Sequence, residues 1–158
     1  MGIAERWRGI AGRMIPPFKG NLEQKLKELA ERFSLEPKIL AAYLFGSRAR
    51  DEERESSDVD IALLTDELSS EEYTTIAKTV AHILGTERVD IVLLNQVSPA
   101  FRFRVISEGW GFYHRDAQTE NRFELRVMKE YWDTGILRRN QYEILRKEIK
   151  SWSLEKKR

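Results

Sequence analysis

Apolar side chains recur every three or four residues in several parts of the chain, the spacing that places them on one face of a helix. Five helices are predicted in this way: about Asn21–Ser34, Ser69–Gly85, Ser98–Gly109, and two between Gln118 and Trp152 that separate near Asp133–Gly135. Ser69 with Glu72 forms a capping box, and Gly85 suits a C-terminal stop. Asn21, with Gln24 three residues on, is predicted to cap the first helix.

Shorter apolar runs without the helical spacing predict four strands. They cover Ile39–Phe45, Val59–Leu64, Arg88–Leu94 and Trp110–His114. The helix between the second and third strands makes a crossover, which would set these two strands side by side and parallel. Because strands and helices alternate, the chain is predicted to be an α/β or α+β domain with a helical C-terminal cap.

The same pattern divides the chain into three parts. Residues 1–20 form an N-terminal extension that ends in two prolines and holds apolar residues at helical spacing. These apolar residues are Ile3, Trp7, Ile10 and Met14. Residues 21–115 are expected to form the core, and residues 116–158 to form C-terminal helices that pack on the core or on a partner.

Composition excludes several kinds of site. The 158 residues are 41% hydrophobic and 34% charged, as in a globular protein, and none is cysteine. Disulfides, thiolate metal sites and a cysteine nucleophile are therefore excluded, and His82 and His114 are too few for a multi-histidine zinc site. Since the chain shows neither a signal peptide nor an apolar stretch of roughly 20 residues, no membrane association is expected, and the protein is expected to be cytoplasmic.

Charge is distributed unevenly, although the net charge is only +1. Residues 51–100 carry 3 basic and 12 acidic side chains, whereas the segments before and after them are net basic. The acidic middle could hold a cation, and the basic flanks could meet an anionic ligand or an acidic partner; a solvated surface of uneven charge is the plain alternative. A general nucleic-acid binder would be more basic overall, so no direct nucleic-acid binding is expected.

The segment between the first two predicted strands holds the residues with the clearest chemistry. Gly46 ends the first strand, where a glycine lets backbone N–H groups approach an anion, and Ser47 adds a hydroxyl that can donate to a phosphate oxygen. Asp58 and Asp60 open the next strand two residues apart, so both carboxylates project from one face. Arg48 and Ser57, from the intervening loop, are further candidates for binding the phosphates of a nucleotide.

A third acid, Asp90, is the only charged residue in the apolar run 89–94. A carboxylate there is costly unless it is exposed, paired or bound to a metal, and parallel pairing would set it about 4.8 Å from the Asp58–Asp60 strand. A hard cation such as Mg²⁺ takes one or two carboxylates together with substrate phosphates and waters. Each feature alone is more often a turn, a solvated acid pair or a strand end. Their order along strand, turn, strand, helix and strand favours a metal–nucleotide site.

This order of residues resembles the DNA polymerase β-type nucleotidyltransferase superfamily. The resemblance rests on Gly46-Ser47, ten further residues, the Asp58-x-Asp60 pair and an Asp on a later strand. The phrases YLFGSRAR and SDVDIALL are similar to the minimal nucleotidyltransferases, and the stretch 122–131 resembles MntA-type antitoxins, which are partnered with HEPN-domain toxins. The fold implied is an α+β nucleotidyltransferase fold, a small mixed β-sheet flanked by helices.

The resemblance also implies an activity, the transfer of AMP from ATP to a tyrosine of a HEPN ribonuclease toxin, with release of pyrophosphate. Such a protein adenylyltransferase would act as the antitoxin of the pair. Asp58, Asp60 and Asp90 would be catalytic and would hold Mg²⁺, with two ions expected, while Gly46 and Ser47 would cradle the terminal phosphates of ATP.

Two alternative functions stay open. One is a non-catalytic antitoxin that blocks its toxin sterically, and the other is a small-molecule nucleotidyltransferase such as an antibiotic-modifying enzyme. Three intact acids favour catalysis over the first alternative, because a binding module has no need of them. The short chain disfavours the second, because it leaves little room for a dedicated small-molecule pocket.

Overall fold

The computed structural model describes residues 21–46 and 58–155, and the side chains of these residues up to Lys150. The helices in this part of the chain are α1 (Leu22–Ser34), α2 (Ser70–Leu84), α3 (Pro99–Glu108), α4 (Ala117–Asp133) and α5 (Gly135–Glu155). The strands are β1 (Ile39–Phe45), β2 (Val59–Thr65), β3 (Val89–Leu93) and β4 (Trp110–His114). The predicted order of elements is confirmed.

The four strands form one mixed sheet in the order β3-β2-β1-β4. β1 runs antiparallel to both β2 and β4, and β2 runs parallel to β3. Helix α2 is the crossover that connects the two parallel strands, as the sequence predicted. The α+β architecture expected from the sequence, a small mixed β-sheet flanked by helices, is therefore confirmed.

Each face of the sheet is covered by a different pair of helices. On one face, the buried side chains of β2 (Val59, Ile61 and Leu63) pack with α1 and α2. On the other face, Ala62 and Leu64 pack with Tyr43 of β1 and with buried residues of α3 and α4. Because strand side chains alternate between faces, Asp60 lies on the same face as Ala62 and Leu64.

Local signals determine where most of the helices begin and end. The Ser69 side chain accepts from the backbone N–H of Glu72 in the predicted capping box, and Gly85 ends α2 with a φ of 67°. Ser98 likewise caps α3. The predicted cap at Asn21 is wrong, since its side chain makes no capping hydrogen bond. The backbone of Asn21 is already helical (φ −82°, ψ −4°), whereas a capping side chain needs extended backbone geometry.

Helix α4 meets the sheet through a group of half-buried acids. The Tyr43 hydroxyl donates to Glu124 across 3.4 Å, and His114 Nδ1 lies 2.9 Å from Glu120 Oε2. Burial raises the pKa of Glu120 to about 7, and burial together with the charge of Glu120 raises that of Glu124 to about 7. In the folded protein, these two carboxyls therefore stay protonated up to a higher pH than they would in an unfolded chain.

Stability is expected to fall as the pH rises from about 5 to 8. A carboxyl whose pKa is raised in the folded state binds more protons there than in the unfolded state, so its stabilising contribution is lost as the pH passes through the folded pKa. Discounted for partial exposure, the effect is about 1 kcal/mol for each carboxyl. Urea unfolding at several pH values measures it. Glu124→Gln should flatten the profile, the exposed control Glu28→Gln should not, and an equal slope in both variants would contradict the assignment.

Helix α5 differs from the other helices in how little of it is covered. Its residues contact α4, but every side chain from Arg139 to Lys150 is exposed. Leu137 and Ile144, which the sequence placed on an apolar helix face, are 63% and 57% exposed. The apolar side chains of α5 between Ile136 and Ile149 are therefore exposed and do not contribute to the core of this domain.

Two further expectations concern membrane spans and the N-terminal extension. None of the helices in the described segments combines the length and the hydropathy of a membrane span. The apolar residues at helical spacing in the N-terminal extension, residues 1–20, lie outside the described residues.

Candidate active site

Parallel pairing brings two of the predicted acids side by side. Asp60 of β2 and Asp90 of β3 occupy partner positions in the ladder, so their side chains project from the same face of the sheet. Asp58 lies just before β2 and is exposed, as is Asp90, whereas Asp60 is half-buried. The three acids are therefore gathered at the end of the sheet where β2 and β3 begin. We call this end of the sheet the acidic edge.

The Asp60 carboxyl shows the electrostatic effect of this arrangement. Its pKa is raised, first by burial and then by the negative charges of Asp90 and Asp58. A carboxylate whose pKa is raised by neighbouring negative charges favours either a proton shared with a neighbour or a bound cation. The same edge of the sheet is thus electrostatically suited to a divalent ion.

Gly46 lies directly against this carboxylate. It follows Phe45, the ladder partner of Asp60, and its φ of 76° is in the left-handed region that favours glycine. A Cβ built on Gly46 would lie 2.0 Å from Asp60 Oδ2, a distance at which no side chain fits. The bare backbone at the end of β1 therefore forms one wall of the acidic site.

A small cavity of about 110 Å³ opens at this point. Gly46 and Asp60 form one side of it, and Phe101, Arg104 and Glu108 of α3 form the other. Arg104 Nε lies 3.4 Å from Glu108 Oε2, so a cation and an anion of α3 stand together opposite the acids. The cavity gives the acidic edge an enclosed side where a polar ligand could be held.

The α3 residues of this cavity are not predicted by the sequence. The α3 segment is recognisable from its cap and its proline, signals that fix where a helix starts but not which face it turns to the sheet. Arg102 and Arg104 both alternate with apolar residues in the run Phe101–Ile106, so the sequence does not tell which of these two arginines faces the cavity. The packing of α3 on Val105 and Ile106, which are both buried, turns Arg104 toward the cavity mouth.

The donor set fits a magnesium ion that is held partly by its substrate. Within residues 21–46 and 58–150, no group of three or more His, Asp or Glu side chains converges closely enough to enclose a metal ion. Magnesium needs no such enclosure, because it is usually held by one or two carboxylates plus substrate phosphates and waters. Asp58 and Asp60 supply that number, with Asp90 beside them.

Three of the predicted nucleotide-binding residues have no described position. Ser47, Arg48 and Ser57 lie in the segment 47–57, outside the described residues. Their predicted contacts with phosphates therefore stay predictions. Gly46 and Asp58, the described residues on either side of this segment, both lie at the acidic edge.

Comparison with known proteins identifies the class of protein. A family model described as polymerase beta, nucleotidyltransferase, matches residues 24–118, more than half of the chain. The protein therefore belongs to the polymerase β-type nucleotidyltransferase family. Among curated proteins, none gives a significant match.

Several solved structures with the same fold come from toxin–antitoxin complexes. A chain of a toxin–antitoxin structure with AMP-PNP is 27% identical, with a TM-score of 0.64, over 78% of this chain and 97% of that one. A chain of an MntA–HepT complex is 25% identical, with a TM-score of 0.58, over 78% and 95%. A chain of the complex between a tri-AMPylated HEPN toxin and its MNT antitoxin, from Shewanella oneidensis, is 23% identical, with a TM-score of 0.60, over 78% and 97%. The present chain shares the fold of these proteins along nearly their whole length.

Proposed function

We propose that the protein is a Mg²⁺-dependent adenylyltransferase that transfers AMP from ATP to a tyrosine of a HEPN-domain toxin and so acts as its antitoxin. The observation that carries the proposal is the register of Asp60 with Asp90, with Asp58 at the same edge and Gly46 in contact with Asp60. A binding module would have no reason to keep three mutually repelling carboxylates together.

In the proposed reaction, the tyrosine oxygen attacks the α-phosphorus of ATP, the bond from that phosphorus to the bridging oxygen breaks, and pyrophosphate leaves. Asp58 and Asp60 would hold Mg²⁺ against the triphosphate, and the backbone at Gly46 would approach its terminal phosphates. A bound cation supplies charge stabilisation for the attacking and leaving oxygens. Asp90, with the edge of β3 open beside it, would orient the tyrosine hydroxyl and accept its proton.

The energetic need for such a base can be estimated. A free tyrosine has a pKa near 10, so its deprotonation at pH 7 costs about 4 kcal/mol. A positioned general base contributes typically 10²–10⁴-fold in rate, which covers most of that cost. Asp90 is exposed at the edge of the sheet, as a residue must be if it is to reach a hydroxyl carried by another protein.

The structural neighbours support the choice of substrates. A 27% identical chain was crystallised in a toxin–antitoxin complex with AMP-PNP, an ATP analogue. The Shewanella oneidensis complex holds a HEPN toxin in a tri-AMPylated state. These are properties of those proteins, and they make ATP and a HEPN-domain protein the first substrates to test with this one.

The test is incubation with ATP labelled at the α-phosphate, Mg²⁺ and a HEPN-domain toxin. We expect the label on a tyrosine of the HEPN protein, located by peptide mass spectrometry, together with loss of its ribonuclease activity. Inhibition of the ribonuclease without labelling would replace the proposal by the non-catalytic antitoxin. Label found only on an added small molecule, such as an aminoglycoside, would replace it by the small-molecule enzyme.

A further inference from the structure

A large open cleft of about 730 Å³ lies next to the candidate active site. It runs between α3 on one side and the junction of α4 and α5 on the other, and we call it the α3–α5 cleft. Its lining includes Phe103 and Arg104 of α3, Trp132 of α4, and Arg139 and Tyr142 of α5. On the α5 side, the cleft is lined by the first residues of this helix, those nearest to α4.

The α3–α5 cleft and the small cavity beside Asp60 share one wall. Arg104 and Glu108 of α3 line both the cavity that contains Asp60 and the α3–α5 cleft. Because these two residues are one helical turn apart, a single turn of α3 separates the two spaces. A molecule seated in the cleft would therefore lie next to the cavity that contains Asp60.

The side chains at the rim of the cleft are large, apolar and exposed. Trp132 is 67%, Ile136 70% and Tyr142 76% exposed. Scattered apolar residues are normal on a protein surface, but clustered Trp, Tyr and Arg side chains are typical of the residues that dominate protein–protein binding. The rim thus has the composition of an interaction surface.

The floor of the cleft is held in place by contacts within the domain. The rings of Phe103 and Tyr131 stack with their centroids 3.9 Å apart, and the Arg138 guanidinium lies 3.7 Å over the Tyr131 ring. Arg102 of α3 pairs with Glu130 of α4 across 2.9 Å below this stack. A surface ordered before binding loses less conformational entropy when a partner docks.

The charge of the cleft indicates what chemistry it would accept. Arg104, Arg138 and Arg139 line it, and Glu108 is the acidic residue among its lining side chains. Glu108 is in turn paired with Arg104, which leaves the cleft with an excess of positive charge. Its occupant should therefore present acidic side chains around an apolar anchor.

We propose that the α3–α5 cleft is the docking surface for the protein acceptor, and that it takes a segment of that protein with apolar side chains flanked by Asp or Glu. The inference rests on the proposed function, since it places the acceptor beside Asp58, Asp60 and Asp90. Two other occupants fit less well. A small molecule would be poorly enclosed by so open a cleft. A second copy of the chain seated there would obstruct the approach to the small cavity beside Asp60.

The test uses two cleft variants, Trp132→Ala and Arg139→Glu, with Leu35→Ala as the matched control. Leu35 is 73% exposed and follows α1, which covers the opposite face of the sheet. With the same HEPN-domain toxin as acceptor, we expect each cleft variant to lower kcat/KM for labelling at least tenfold, mainly through a higher KM. Affinity for a non-hydrolysable ATP analogue and Tm should not change, and the control should match the wild type.

Three results would overturn the docking proposal. One is labelling within twofold of the wild type by both cleft variants, and another is an equal loss in Leu35→Ala. The third is a change of oligomeric state: sedimentation experiments would show a dimer for the wild type and a monomer for Trp132→Ala, with labelling unchanged. That result would assign the cleft to a second copy of the chain. If the wild type transfers no label, the proposed function fails separately, and calorimetric titration with the same HEPN protein still decides docking: weaker binding by the cleft variants supports it, and unchanged binding refutes it.

Discussion

Asp60→Asn is expected to lower AMP transfer by about a thousandfold while leaving the protein as stable as the wild type or slightly more so. Asp60 is the central acid of the site, since its pKa is raised by burial and by the charges of Asp90 and Asp58. Loss of a metal ligand removes several kcal/mol of transition-state stabilisation, and a thousandfold corresponds to about 4 kcal/mol. Loss of its charge also relieves the repulsion, so stability does not suffer.

The measurement is single-turnover transfer of labelled AMP together with thermal unfolding of the same preparations. Asp66→Asn is the matched control, because Asp66 is an exposed acid at the opposite end of β2, and it should retain wild-type transfer. A lower Tm in Asp60→Asn would mean that lost activity reflects damage to the fold. Transfer within tenfold of the wild type would reject the metal-binding role of Asp60.

Gly46→Ala is expected to lower transfer at least a hundredfold and to cost about 2 kcal/mol of stability. The φ of 76° at Gly46 disfavours any side chain, with a cost of roughly 1–2 kcal/mol. The added Cβ would also lie 2.0 Å from Asp60 Oδ2, so the carboxylate must turn away from the position it holds. The strain affects stability, and the displacement of Asp60 affects catalysis.

Gly85→Ala separates these two effects. Gly85 has a similar φ of 67°, but a Cβ added there would meet only the flexible Lys25 Nζ at 3.2 Å, and no acid of the candidate site lies within 4 Å of it. This variant should lose about 1 kcal/mol of stability with full transfer activity. Urea unfolding and transfer assays on both variants provide the comparison. Equal transfer by the two variants would show that contact between Gly46 and Asp60 has no role in catalysis.

The sequence predicted the sheet well because its signals are local and chemically distinct. The runs Ile39–Phe45 and Trp110–His114 are strands as predicted, and α2 begins at its capping box. The adjacency of Asp60 and Asp90 followed from one general rule, that a helical crossover joins parallel neighbouring strands. That rule fixes the neighbours of a strand even where side-chain geometry is unknown.

What the sequence could not supply depends on packing between distant elements. The contact of Gly46 with Asp60 requires the antiparallel register of β1 and β2, and the position of Arg104 requires the rotation of α3 about its axis. The exposure of Leu137 and Ile144 on α5 is of the same kind. Their helical spacing indicates an apolar face, but it does not say whether the domain itself covers that face.

A crystal structure of the protein with Mn²⁺ and a non-hydrolysable ATP analogue would decide whether the acidic edge of the sheet binds metal and nucleotide together. We predict an anomalous difference peak for the metal at about 2.0–2.2 Å from carboxylate oxygens of both Asp58 and Asp60, between them and the nucleotide phosphates. Phosphates bound beside Gly46 with the metal away from these acids, or a nucleotide bound elsewhere on the domain, would contradict this assignment.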